Sequence, residues 1–373
     1  MVRLLLACEY ATLSGGERSM LATLDHLGES GFSVAVAAPG TGPLADALAA
    51  RQIDVLPFDA FDSSGARLPQ ARLRERFAQL LAGHRPELLH ANSLAMGRLL
   101  GPVAKEMAIP SLSHLRDIVR LSARAVADLN HHRRLLAVSR ATLDFHLATG
   151  LDAEKTHVLY NGVDLEEFRP RPPEGWLHEE LGLPAEALLV GTIGQIGLRK
   201  GQDVLVRAAT QLADVLPHVH YLVIGQRWSE KAESRHFEAE LRAAAEGPLQ
   251  GRLHLVGWRD DVGKILNELC LLVHPARQEP LGRVLLEAAA AGLAVVASNV
   301  GGTGEIFPPG SDTARLVPPD DVAALAGAIR DLVTDEPARR RLGESARRRA
   351  VEAFDARQAA AGLTEHYRQV ADG

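Results

Sequence analysis

Two cysteines in 373 residues, five lysines among 41 basic side chains, and no apolar run near the ~20 residues of a membrane span set the first limits. Cys8 and Cys270 each sit in an apolar stretch, LLLACEY and NELCLLVHP. A lone cysteine there is a small buried hydrophobe, so nothing indicates disulfides or an oxidising compartment. The opening residues, MVRLLLACEYATLSGG, hold one Arg and an apolar run that breaks at Glu9 and leads into a glycine turn, unlike a signal peptide. The chain therefore reads as cytoplasmic. No low-complexity run marks a disordered tail, and 46% hydrophobic with 24% charged residues is a folded composition. There is no basic excess either. The net charge is -6, with 18 basic against 19 acidic residues through position 170 and 23 against 28 after it, so neither half is a nucleic-acid reader. The scarcity of Lys reads as a coding bias toward Arg before it reads as phosphate recognition. Two motifs are also missing. No G-x-G-x-x-G follows a strand, which lowers the dehydrogenase reading, and no Asp-x-Asp triplet offers ligands for a nucleotide-bound metal.

The length suits two domains, each with its own core. Short apolar runs alternate with helical periodicity throughout, the pattern of parallel sheets covered by helices, and the class is α/β. Strands are expected at 2–8, 34–38, 88–90, 111–114, 135–138 and 157–160. A proline-rich stretch, Arg169 to Gly175, suits an interdomain linker, after which strands are expected again at 188–193, 221–224, 253–256, 271–274 and 294–298. The domains are thus expected at 1–170 and 171–354. In open parallel sheets ligands bind beyond the carboxyl ends of the strands, so the turns after each run are the informative positions.

Three such turns carry chemistry. The first strand runs into Ser14-Gly15-Gly16, where paired glycines and a helix amino end can receive an anion; an ordinary strand-to-helix turn remains the alternative. The first strand of the second half runs into Gly194-Gln-Ile-Gly-Leu-Arg-Lys-Gly201, and positive charge at Arg199 and Lys200, at the start of a helix, is unfavourable unless an anion lies nearby. A diphosphate would account for the pair, since Arg chelates two oxygens and Lys offers a mobile point charge; two solvated charges are the alternative. The third turn lies in His274-Pro-Ala-Arg-Gln-Glu-Pro-Leu-Gly-Arg-Val-Leu-Leu-Glu287. Glu279 precedes it, Glu287 lies about two turns into the helix beyond it, and the amides of Leu281 to Val284 can point at a phosphate. A carboxylate there can accept two hydrogen bonds from a ribose diol, whereas spacing alone equally allows a capping and a solvated glutamate.

This segment resembles the E-x7-E element of retaining glycosyltransferases of the family-4 type (glycosyl transferases group 1), which have the GT-B fold. Other motifs match in order: Ser14-Gly-Gly16, His114-Leu-Arg-Asp117, Leu136-Ala-Val-Ser139, Tyr160-Asn-Gly-Val-Asp164, Arg199-Lys-Gly201, Val256-Gly-Trp258 and Gly301-Gly-Thr-Gly-Glu305. The match spans nearly the full chain. It implies two Rossmann-like doubly wound parallel-sheet domains facing a cleft, the first on the acceptor side and the second holding the donor. It also implies that the terminal helix, 355–373, packs back on the first domain.

The resemblance further implies that a nucleotide diphosphate sugar is the donor, a uridine diphosphate sugar before guanosine diphosphate mannose, with no cofactor and no metal. Arg199 and Lys200 would neutralise the diphosphate, Glu287 would hold the ribose, and Glu279 would contact sugar hydroxyls. Leu281, Gly282 and Arg283 would supply amides, Gly257 and Trp258 would border the base, and Gly15 and Gly16 would close over the phosphates. His114 would lie near the anomeric centre or acceptor, with its side chain on a donor hydroxyl or its backbone carbonyl stabilising positive charge on the ring; a structural histidine is the alternative, and Glu279, His114 and Lys200 are the catalytic candidates. Members usually react by front-side attack, in which the donor phosphate takes the acceptor proton, so no dedicated base is expected. Two departures stand out: Gln195 where many members have Arg, and Glu17 directly after Gly16, to which no role is assigned.

Competing readings are an epimerase or phosphorolytic enzyme on the same fold, or a silent sugar-nucleotide binder. Intact Glu279, Lys200 and Glu287 count against the last. The acceptor, a glycan, a lipid-linked saccharide or a small molecule, is not legible. The stretch 67–85, with five Arg against one Glu on an amphipathic pattern, could rest on an anionic membrane; a sheet-covering helix with a solvated basic face is the alternative.

Overall fold

The computed structural model describes residues 1–28 and 31–372. The chain divides into two compact units, one formed by Met1–Gly162 together with the chain from Ala356 onward, the other by Val163–Asp355. The first is built on seven strands: β1 (Val2–Ala7), β2 (Phe32–Ala38), β3 (Asp54–Pro57), β4 (Leu88–Ala91), β5 (Ser111–Leu115), β6 (Arg134–Ala137) and β7 (Thr156–Val158). Their order is β3-β2-β1-β4-β5-β6-β7, and all pairs are parallel. Helices cover both faces of such a sheet, so its central strands read as unbroken apolar runs, LLLA in β1 and LL in β4.

Two helices of this unit bear on function. Gln70–His84 buries Leu73, Phe77 and Leu81, spaced four residues apart on one face, against a cluster that includes Phe58 and Met96. Its apolar face is thereby occupied by the sheet, and Arg74 reaches Asp128 at 2.8 Å and the carbonyls of Arg98 and Leu99. The face left to solvent is mixed, with Arg72 beside Glu75 and Gln79. The last helix, Ala356–Asp372, inserts Ala360, Leu363, Tyr367 and Val370 beside Leu4, Leu6, Phe32 and Leu112.

The second unit holds β8 (Leu188–Ile193), β9 (Val219–Ile224), β10 (Leu253–Gly257), β11 (Leu271–His274), β12 (Val295–Ser298) and β13 (Arg315–Val317), ordered β10-β9-β8-β11-β12-β13 and all parallel. The proline-rich stretch expected to link the domains lies inside this unit. Arg171 N–H donates to Asn267 Oδ1 at 2.7 Å, and the amides of Glu174 and Gly175 donate to the Glu268 carboxylate at 2.7 and 2.9 Å. The division falls instead at Gly162/Val163 and Asp355/Ala356. Two strands, β3 and β13, were not expected, and both are edges with little apolar sequence. Among the described residues no helix is long and apolar enough to cross a membrane.

Candidate donor site and the first-unit cluster

Strand order in the second unit changes direction between β8 and β11, because β9 follows β8 on one side while β11 returns to its other side. The turns leaving these strands diverge there and open a crevice. Residues 79 positions apart in sequence meet in it. Lys200 Nζ donates to Glu279 Oε2 at 2.5 Å, His274 Nε2 lies 2.7 Å from the same oxygen, and Arg199 Nη1 stands 4.0 Å from Oε1. Among the described residues Oε1 has no hydrogen-bond donor, so one carboxylate oxygen is tied and the other is open.

Backbone packing holds this arrangement. Arg199 and Lys200 sit on a single 3-10 turn, Leu198–Lys200, that precedes the helix Gln202–Leu212, rather than on the helix itself. The turn ends at Gly201, with φ of 67°, where a Cβ would meet Pro275 O at 2.0 Å. On the other side Gly301, φ 52°, would bring a Cβ within 1.9 Å of Glu279 O, and Gly302 N–H donates to that oxygen at 3.0 Å. Only glycine tolerates both the positive φ and the close approach. Arg277 ties the two turns together: its guanidinium bonds both Asp203 oxygens at 2.9 and 2.7 Å, Asp320 at 2.7 Å and Leu198 O at 2.7 Å.

The electrostatics follow from burial and pairing. Desolvation pushes the Glu279 carboxyl up, but the charges of Lys200 and Arg199 and the His274 bond outweigh it and hold the group below the usual carboxylate range. Burial draws Lys200 down against the pull of Glu279. His274 is lowered by burial and by Lys200, so it is neutral near pH 7 and its Nε2–H donates to Glu279.

Beyond Gly282 the helix Arg283–Ala290 begins with no side chain capping it, and a helix amino end of this kind favours an anion. Leu281 is buried beside this turn. Within the helix, Arg283 Nε lies 2.6 Å from Glu287 Oε1, both largely buried, with the N–H not aligned on the oxygen. Glu287 is thus electrostatically neutralised but not saturated. Gly257 ends β10 and Trp258 follows it, and Gly257 O accepts from Gly225 N–H at 2.7 Å. Trp258 stands edge-on to Trp228, 5.7 Å between ring centroids, and both rings are about half exposed. Trp228, His274 and Arg277 carried no assigned role in the sequence, although the last two lie in its most specific segment.

The first unit positions the remaining candidates. The helix Gly15–Leu24 follows Ser14 as its N-cap residue, whose hydroxyl donates to the buried carboxylate of Glu17 instead of capping a backbone amide. Beneath Gly16 lies Arg116: a Cβ at Gly16 would meet its Cδ at 3.2 Å. Arg116 also donates to Asn92 O and Oδ1 at 2.9 Å each and to Asn161 Oδ1 at 2.7 Å. His114, next to last in β5, has its Nδ1 2.7 Å from His90 Nε2, and both rings are buried. Arg116 and His90 were not singled out by the sequence. Nothing in their spacing connects them, because strand pairing brings them together.

Comparison with known proteins agrees with this architecture. The model of the glycosyl transferases group 1 family matches residues 176–349, and that of Glycosyltransferase Family 4 matches residues 13–167. A D-inositol 3-phosphate glycosyltransferase of Streptomyces scabiei is 26% identical over 362 residues, 89% of this chain and 79% of its own length. The lipopolysaccharide core biosynthesis mannosyltransferase LpsB of Rhizobium meliloti is 30% identical over 236 residues, 60% of this chain and 66% of its own. Among solved structures, Anabaena Alr3699/HepE in complex with UDP-glucose superposes with a TM-score of 0.86 over 99% of this chain and 100% of that one, at 22% identity. Two family models, one per unit, define the class. The chain belongs to the family-4 type, group 1 glycosyltransferases and has their GT-B fold of two Rossmann-like domains.

Proposed function

We propose that this glycosyltransferase is a retaining enzyme that takes a sugar from a nucleotide diphosphate donor without a metal ion and passes it to a hydroxyl group. The observation that carries the reading is the pairing of Lys200 with one oxygen of Glu279 while the other oxygen stays open, beside Arg199 and the uncapped helix after Gly282. As the nucleotide leaves, negative charge grows on its phosphate, and cations and amides fixed in advance stabilise that charge more than the ground state. Lys200, Arg199 and the amides of Leu281, Gly282 and Arg283 supply this. Glu279 Oε1 accepts a hydroxyl of the sugar, Glu287 holds the ribose diol, and Gly257 and Trp258 border the base.

The family resemblance also assigns a phosphate contact to Gly15 and Gly16 and a sugar contact to His114. Front-side attack needs no enzymic base: the acceptor oxygen bonds the anomeric carbon as the bond to the phosphate breaks, and the departing phosphate takes the proton. A uridine diphosphate sugar is the favoured donor, supported by the Anabaena complex, with guanosine diphosphate mannose second. For the acceptor, an inositol phosphate and a lipopolysaccharide core among the relatives favour a polar hydroxyl compound. Any contact with anionic lipid would use the exposed Arg67, Arg72 and Arg85, since the apolar face of Gln70–His84 is buried.

The test is a thermal-shift panel of UDP, GDP, ADP, TDP and their sugars with EDTA present, followed by NMR of the product formed with the stabilising sugar. Stabilisation by one nucleotide and an unchanged anomeric configuration are expected. An inverted product, or turnover only with added metal, would overturn the reading.

A further inference from the structure

The pairing of β4 with β5 sets His90 opposite Leu112, so His114, two residues further along β5, shares the face of His90. Onto that face the last helix brings Tyr367 from the far end of the chain. Its hydroxyl lies 2.7 Å from His90 Nδ1, and His90 Nε2 lies 2.7 Å from His114 Nδ1. All three side chains are buried, Tyr367 completely. Three aromatic groups thus form an unbroken file, with His114 Nε2 as its open end. Among the described residues no protein group bonds that nitrogen.

Such a file can hold its protons in only one of two directions. If His90 Nδ1 carried the proton and donated to the phenol, the hydroxyl hydrogen of Tyr367 would be left in a dry core, where His90 is the only hydrogen-bonding partner of this hydroxyl among the described residues. An unmet buried donor costs about as much as a lost hydrogen bond, so this direction is disfavoured. In the other direction the phenol donates to His90 Nδ1, His90 Nε2–H donates to His114 Nδ1, and His114 carries its proton on Nε2. Both rings must be neutral for this. Burial and the nearby Arg116 charge lower each of them well below the ordinary histidine value. The phenol stays protonated because burial raises it.

We propose that Tyr367 is a positioning residue which, through His90, fixes His114 as the tautomer that presents an Nε2–H donor. The inference rests on the reading that His114 faces the donor sugar. A hydroxyl meeting His114 is then received as an acceptor of that hydrogen, and a ligand group that can only donate is disfavoured there.

The experiment uses the full chain labelled with 15N-histidine, with His90 and His114 resonances assigned from His90→Gln and His114→Ala. Long-range 1H–15N spectra of the unliganded wild type are expected to show His114 protonated on Nε2 alone. Tyr367→Phe keeps the ring beside Phe32, 5.3 Å between centroids, and removes only the hydroxyl. It is expected to leave the melting temperature within a few degrees, to mix the His114 tautomers, and to lower kcat/KM about tenfold. His90→Gln retains one acceptor and one donor and is expected to keep His114 closer to the wild-type tautomer than Tyr367→Phe does. A wild-type His114 protonated on Nδ1, or a Tyr367→Phe enzyme with unchanged tautomer and rate, would overturn the proposal. Full activity of His114→Ala would instead overturn the placement of His114 at the sugar, while the spectra would still decide the tautomer.

Discussion

Lys200 and Glu279, 79 residues apart in sequence, form a 2.5 Å ion pair in which Glu279 is buried and Lys200 largely so. Removing one partner of such a pair leaves the other buried and uncompensated. Lys200 keeps two further N–H donors for a phosphate, so the pair holds the ammonium in place without saturating it. Lys200→Ala is therefore expected to abolish stabilisation by nucleotide and to lower kcat/KM by about 10²- to 10³-fold, the usual loss for one donor aimed at developing charge. Steady-state kinetics check this, and a variant within threefold of wild type would remove Lys200 from the mechanism.

Glu279→Gln separates charge from shape. The amide keeps the side-chain volume and an acceptor oxygen, but Lys200 loses the charge that opposes its desolvation. Its amine is then expected to titrate lower than in wild type. The variant should show kcat declining at high pH from a lower midpoint. An unshifted limb would mean that Glu279 does not hold the ammonium in its charged form.

The arginine beside Glu287 makes a different prediction. Arg283 lies within the same helix and neutralises the carboxylate, so Glu287→Gln disturbs charge locally and leaves the Lys200 pair intact. Loss of a ribose contact removes binding common to ground and transition states, which raises KM with little change in kcat. A rise of about tenfold in donor KM is expected, equal to about 1.4 kcal/mol. A fall in kcat at unchanged KM would argue against the ribose assignment.

Much of this site is legible in the sequence because its residues lie in turns directly after apolar runs, as Arg199, Lys200 and Glu279 do. The central strands are legible for the same reason. The edge strand β3 is not: DVLP contains little apolar sequence and ends in Pro, since an edge needs no unbroken ladder. Linker composition also misleads at 169–175, where prolines stiffen a stretch whose amides are fastened to Asn267 and Glu268. His90, Arg116 and Tyr367 escape sequence reading altogether, because their juxtaposition depends on strand register and on a helix from the opposite end of the chain.

The two exposed tryptophans offer an optical test. Trp228 and Trp258 lie in the segments that follow the neighbouring strands β9 and β10, and the third, Trp176, packs under Arg259 at 5.5 Å. If Trp258 borders the base, stacking there changes its emission on nucleotide binding. Quenching that saturates with the thermal-shift affinity is expected, and it should be lost in Trp258→Phe. Quenching that survives this substitution unchanged would place the base elsewhere.

His132 predicts how the first unit responds to acid. It is fully buried, 2.8 Å from Ser111 Oγ, and donates from Nε2 to Gly97 O at 2.9 Å; burial lowers its pKa to about 4. The unfolded value is about 6.5, so the unfolded chain takes up this proton first as pH falls. Stability contributed by the neutral ring is complete above about 6.5 and is lost progressively down to about 4, amounting to about 2 kcal/mol by pH 5. The buried His90 and His114 are lowered too and act in the same direction. His132→Gln should be less stable than wild type at pH 7, through its altered hydrogen bonds, yet lose about 2 kcal/mol less between pH 7 and pH 5. Urea denaturation at the two pH values measures this. Parallel losses in the two proteins would show that the ring is not held neutral.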